Sequence, residues 1–150
     1  MLLNTKHFGE IEYDKKSVIV FDEGIPGFDE KEFIMLADNP DDLFCWLQSV
    51  EDGDIAFVLM DVKQIMPDYN PKIEPEVLDE LKSGDEEADL SYYNITVVPD
   101  DLKDMRVNLK APVIINNKTC RGKQAVASNE EYSLRHYIFN ELETHRRKVM

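Results

Sequence analysis

The chain has 150 residues, 43% of them hydrophobic, and carries 31 Asp and Glu against 17 Lys and Arg, a formal net charge of −14. That length suits one domain, residues 1–150, with a single core, and the apolar runs are too strong for a disordered chain. The charge repels phosphate, which argues against direct contact with nucleic acid or with an anionic membrane, and it favours basic protein partners through steering. No stretch approaches the roughly 18 apolar residues of a membrane span. Met1 to Glu10 lacks the apolar core and cleavage site of a signal peptide. The two cysteines, Cys45 and Cys120, form neither a disulfide framework nor a CxxC motif, which fits a reducing cytoplasm. In that compartment the sequons at Asn94 and Asn117 carry no meaning.

In chain order, Ser17–Phe21, Phe33–Ala37, Leu43–Val50, Ile55–Met60, Ile95–Val98 and Pro112–Ile115 read as short strands, with Lys6–Tyr13 and Cys120–Ala127 as weaker ones. Most are continuous apolar runs, which implies burial on both faces of a closed or sandwiched sheet. The breaks carry turn chemistry: Gly24-Ile25-Pro26-Gly27, Asn39-Pro40-Asp41, Glu51-Asp52-Gly53-Asp54 and Asn116-Asn117. Gaps this short leave no room for the crossover helices of a parallel α/β sheet, so the reading is all-β, a small barrel-like antiparallel sheet.

Two helices interrupt it. Pro75 opens the first, Val77, Leu78 and Leu81 give it an apolar stripe, and Gly84 closes it. Glu74, Glu76, Asp79, Glu80, Asp85, Glu86, Glu87 and Asp89 make this helix and its following loop the most acidic stretch, against one lysine, Lys82. A second helix is expected near the end, where Ser128 and Glu131 form a capping box and Leu134, Ile138 and Leu142 recur every four residues. Residues 138–150 form its end and its basic tail, His145-Arg146-Arg147-Lys148, which suits a helix C-terminus.

Catalytic motifs are missing: there is no GxGxxG, GxxxxGK[ST], HExxH or GxSxG. Glu141 and His145 make only an i,i+4 pair, and no spacing supplies the further ligands of a metal site. The carboxylate clusters do not match a Ca²⁺ loop. Cys120, beside Lys118, Arg121 and Lys123, is the one nucleophile by environment, and an ordinary half-buried thiol accounts for it better. No cofactor is implied. The aromatics are more informative. Trp46, in mid-strand, reads as core, whereas Phe28 after Pro26-Gly27, Tyr69, and the pair Tyr92-Tyr93 stand in turns or polar surroundings. Exposed aromatics among acids are what a face for a basic or amphipathic protein would use.

Taken together, Phe21-x-x-Gly24-Ile25-Pro26-Gly27-Phe28, Phe33, Leu47-Gln48-Ser49, Ala56-Phe57-Val58, Tyr69, Val97-Val98-Pro99, Asn108-Leu109-Lys110-Ala111-Pro112-Val113-Ile114-Ile115-Asn116 and Gly122-x-Gln124 resemble the signature of the flagellar assembly factor FliW family, in order and spacing over roughly residues 1–137. The sequence departs from the family where Asp61 is followed by Val62 rather than Pro, and Phe139 to Met150 lies past the matched part. The resemblance implies a barrel-like, non-enzymatic protein of the bacterial cytoplasm. It would bind flagellin before export and, when free, bind and antagonise the basic RNA-binding repressor CsrA, so that flagellin translation follows flagellin export. Gly24, Pro26, Gly27, Gln48, Ser49, Asn108 and Pro112 would then be architectural. Phe28, Tyr69, Tyr92, Tyr93 and the acidic stretch would meet partners. Two other readings compete: an acidic binding module or export chaperone for another secreted helical protein, and a small hydrolase with a carboxylate pair in a barrel mouth.

Overall fold

A computed structural model describes residues 1–149 of the chain. It begins with a hairpin, β1 (Leu2–Thr5) and β2 (Gly9–Glu12), paired antiparallel with Leu2 opposite Glu12. The main sheet follows: β3 (Ile19–Val20), β4 (Glu32–Leu36), β5 (Phe44–Ser49), β6 (Ala56–Met60), β7 (Leu90–Val97), β8 (Arg106–Val107), β9 (Val113–Asn116), β10 (Arg121–Gln124) and β11 (His136–Tyr137). Helix α1 (Pro75–Lys82) sits between β6 and β7, and α2 (Phe139–Val149) ends the described chain.

Seven strands close a barrel in the order β7-β6-β5-β4-β3-β10-β9, with β9 returning to β7. Closure depends on the length of β7. Its first half, Leu90–Tyr93, pairs with β9, while Asn94–Thr96 pairs with β6 and Thr96–Val97 with β8 on the other edge. All pairings are antiparallel except β3 with β10, which is parallel and registered at a single position, Val20 opposite Arg121. Beside that seam Arg121 pairs with Asp22 and Lys123 with Glu23, both at 2.7 Å. Surface ion pairs of this kind contribute ~0–1 kcal/mol each.

The continuous apolar runs have a direct cause. Cys45 and Leu47 of β5, Leu59 of β6 and Val113 and Ile115 of β9 meet Phe21 and Phe33 in the barrel interior. The outer faces are covered too. Met60, Tyr69, Met105, Val107, Leu109 and Ile138 form a second cluster, and Ile114, Ala125, Ala127, Ile73 and Leu81 a third beneath α1. Strands buried on both sides cannot alternate. Gly122 shows how tight the interior is: a Cβ there would stand 2.6 Å from the Phe21 ring.

Several expectations shift. Lys15–Ser17 forms a 3₁₀ turn capped by Asp14, so β3 keeps only two residues of the predicted strand. The weak strand Lys6–Tyr13 is the turn and second arm of the hairpin, and β7 starts five residues before the predicted Ile95. Helix α1 ends at Lys82, because Ser83 already takes a left-handed φ of 53° and Asn116 Nδ2 donates to the Leu81 carbonyl at 2.8 Å. The capping box at Ser128 and Glu131 does not form. Ser128 N–H instead donates to the Lys72 carbonyl, and Glu131 accepts from Asn129 Nδ2. Long-range bonds thus hold residues 128–138 out of the helix, which begins at Phe139. There Glu141 pairs with His136 at 2.9 Å rather than with His145.

Candidate protein-binding surfaces

The residues that point out of β5 and β6 are not covered everywhere. Where β6 and β7 part, register stops at Val58 opposite Thr96, although β6 starts at Ala56 and β7 runs on to Val97. The wedge opens a groove of about 820 Å³ lined by His7, Phe44, Trp46, Phe57, Val58, Val97, Val98 and Met105 among others. Val97 and Val98 are almost half exposed, at 48% and 47%. Trp46, expected in the core, stands on this outer face, with Phe8 edge-on at 5.3 Å and His7 tilted over it at 5.0 Å. The sequence held a usable signal: if Cys45 and Leu47 point inward, Phe44 and Trp46 must point outward.

A second surface lies on the β9–β10 side, where α1 turns Val77, Leu78 and Leu81 onto the third cluster and its carboxylates outward. Glu74, Glu76, Asp79, Glu80, Glu86, Glu87 and Asp89 are exposed. Of the eight acids only Asp85 is in an ion pair among the described residues, with Lys118 at 3.2 Å. The Glu87 backbone N–H and then Lys118 hold its carboxyl below the usual range.

The expected aromatic anchors separate. Phe28 is 42% exposed and rests edge-on against Phe57 at 4.9 Å. Tyr92 and Tyr93 are half-buried in β7 rather than in a polar loop. Tyr93 packs against the barrel interior, Tyr92 against the third cluster with the Lys63 ammonium 6.0 Å from its ring. Tyr69 is a correction: at 3% exposure it is no surface anchor. Its hydroxyl donates to the Leu109 carbonyl at 2.7 Å and accepts from Asn94 Nδ2 at 2.9 Å. Burial pushes its pKa up to about 12.

The motif residues hold loops. Gly24 and Gly27 take φ of 68° and 90° in the turn before Phe28, where side chains are strained. Gln48, fully buried, directs Nε2 at the carbonyls of Ser49, Gly53 and Ile55, and Ser49 Oγ accepts from the N–H groups of Glu51 and Asp52. Asn108 Oδ1 accepts from Ala111 N–H at 2.9 Å, just before Pro112 leads into β9. Among the described residues no group of three or more His, Cys, Asp or Glu side chains is placed to hold a metal ion. None of the helices is long and apolar enough to cross a membrane, again among the described residues.

Fold and surfaces thus define a class: a small acidic closed barrel with an apolar groove on one side and a carboxylate ledge on another. Residues 2–138 match the family model for FliW protein. The flagellar assembly factor FliW of Thermoanaerobacter pseudethanolicus is 45% identical over 144 residues, covering 95% of each chain, and that of Alkaliphilus metalliredigens is 43% identical, covering 95% of this chain and 89% of the other. A crystal structure of the flagellar assembly factor FliW superposes with a TM-score of 0.83 at 34% identity, covering 93% of this chain and 97% of that one. The chain belongs to the FliW family of flagellar assembly factors.

Proposed function

We propose that this flagellar assembly factor works in the cytoplasm, without catalysis, by binding flagellin and, when free of it, by binding CsrA and antagonising its hold on RNA. The observation that carries the reading is the carboxylate ledge: seven exposed acids from Glu74, at the start of α1, to Asp89 that no cation neutralises among the described residues. Docked beside a basic RNA-binding surface, such a ledge repels incoming phosphates over a Debye length of ~8–10 Å without covering the whole RNA site. Flagellin would be met differently, by apolar anchors against an amphipathic helix, with Phe28 the most exposed of the aromatics named above and Tyr92 and Tyr93 half-buried beside it in rank. Phe28→Ala with unchanged flagellin affinity, in a folded protein, removes that anchor.

The decisive experiment measures CsrA–RNA affinity with and without the protein at rising salt, using the wild type and a variant with Glu76, Asp79, Glu80, Glu86 and Glu87 changed to amides. Antagonism should weaken as salt rises, and the variant should antagonise less. Salt-independent antagonism overturns the electrostatic account. An export chaperone for another protein is separated from this reading by a pull-down from lysate that recovers neither flagellin nor CsrA.

A further inference from the structure

We infer that the hollow between the β1–β2 hairpin and the barrel binds a trimethylammonium group, a ligand that neither flagellin nor CsrA binding requires. The hairpin is a sheet of its own. It is seated on the β5–β6 turn, where Lys6 N–H donates to the Gly53 carbonyl at 3.1 Å and the missing side chain of Gly53 makes room for the Asn4 carbonyl. Between the hairpin tip and the ends of β4 and β5 a hollow of about 350 Å³ remains. That volume is near the lower end of the ~300–1,000 Å³ of small-molecule sites.

Its walls are aromatic. Phe8, from the hairpin turn, stands at 89° to Trp46 with ring centroids 5.3 Å apart. Phe44, two residues before Trp46 on β5, points to the same side and lines the hollow too. Perpendicular rings frame a corner whose π-faces carry the negative part of the ring quadrupole. The charge at the rim has one sign. Asp38 is exposed and Asp42 half-buried, and neither is in an ion pair among the described residues. No Lys, Arg or His lines the hollow. Aromatic walls under an acidic rim select a cation.

Hydrogen bonding decides which cation. Asp38 and Asp42 supply the side-chain acceptors of the hollow, and Asp42 Oδ2 already accepts from Asn39 N–H at 2.9 Å. A primary ammonium brings three N–H donors and a guanidinium five, and either would leave donors unpaired against these walls. A trimethylammonium has no N–H to satisfy, and its methyl groups bury apolar surface against the rings and against Ile11 and Leu36. A metal ion fits poorly: two carboxylates face it, and among the described residues no group of three or more His, Cys, Asp or Glu is placed to hold one. Anions meet the two aspartates and are repelled.

Trp46 is the one tryptophan in the sequence and lines the hollow, so its emission reports occupancy. The full chain is titrated at constant ionic strength with choline and three relatives. These are its neutral analogue with carbon in place of the nitrogen, ethanolamine with a primary ammonium, and glycine betaine with an added carboxylate. Choline should change Trp46 emission saturably, and each relative should bind ~10-fold more weakly or worse. A peptide carrying trimethyllysine separates the two sources of the group. Tighter binding than choline assigns it to a methylated protein side chain, and equal or weaker binding assigns it to a free small molecule; either result supports the site. Phe8→Leu and Asp38→Asn alter exposed side chains and should each weaken choline ~3-fold or more, read also by saturation transfer to the N-methyl protons. Asp38→Asn keeps the test if Phe8→Leu unseats the hairpin. The inference is overturned by any of three results: no saturable change with choline, equal affinity for choline and its neutral or primary-ammonium relative, or unchanged affinity in a folded Asp38→Asn variant. Neither flagellin nor CsrA enters the assay, so its failure leaves the salt experiment to decide the proposed function separately.

Discussion

Removing one oxygen from Tyr69 distinguishes an architectural residue from a partner anchor. Its hydroxyl joins three segments: Tyr69 in the loop after β6, Asn94 in mid-β7, and Leu109 before β9. Tyr69→Phe deletes two hydrogen bonds of ~1 kcal/mol net each and leaves the Leu109 carbonyl without that donor. Asn94 keeps its bond to the Asn108 carbonyl at 2.8 Å, which limits the damage. The expected loss is ~2–3 kcal/mol, or a fall in Tm of ~5–10 °C for a domain of this size. The variant should retain its partner affinities at temperatures where it is folded.

The same phenol has a pH signature. Its pKa of about 12 in the fold lies above its ordinary value of 10.0, so the native state holds a proton that the unfolded chain gives up. This contribution is complete below pH ~10 and is lost as pH rises towards ~12, and the phenylalanine variant lacks that part of the alkaline decline. Thermal melts from pH 8 to 11 measure both effects. A Tm within ~2 °C of wild type combined with a lost partner affinity would refute the assignment and put Tyr69 back on a binding face.

Gly122→Ala should lower the urea midpoint by the equivalent of ~1–3 kcal/mol, since the new methyl meets the buried Phe21 ring, and Phe21→Leu in the same chain should restore part of the loss. Cys45 is buried, and burial, then Asp61 and Asp42, push its thiol up to about 12. A thiol reagent at pH 8 should therefore titrate only Cys120 in the native protein and both cysteines after unfolding. Two fast thiols in the native state would contradict the barrel interior described for Cys45.

Much of this architecture is legible in the sequence. Uninterrupted runs such as Ile55–Met60 announced strands covered on both faces, and the Pro75 to Gly84 stretch announced α1. The elements that escaped are those set by distant partners. Leu90 to Tyr93 follow an acidic loop and look polar, yet they are strand because β9 needs a neighbour to close the barrel. Ser128 and Glu131 have the local chemistry of a helix start, but Lys72, 56 residues upstream, takes the Ser128 N–H first. Of the candidate surfaces, the carboxylate ledge was visible because helix charges lie close in sequence. The groove was not, because His7 comes from the separate β1–β2 hairpin, Trp46 and Val58 from β5 and β6, and Val97 and Met105 from the end of β7 and the segment before β8, stretches far apart in sequence.

That closure has a consequence for how the chain is made. The seam joins residue 20 to residue 121, so during synthesis the barrel stays an open sheet until most of the chain has left the ribosome. For all that time β3 is an unpaired edge, the kind of surface on which nascent chains aggregate. Its two residues lie between Lys15-Lys16 and Asp22-Glu23. An edge so short, with charge on both sides, is a poor template for a stray strand, and two of those same charges, Asp22 and Glu23, later clasp Arg121 and Lys123 when β10 arrives. The weakest joint of the barrel is thus also the part best guarded while it waits.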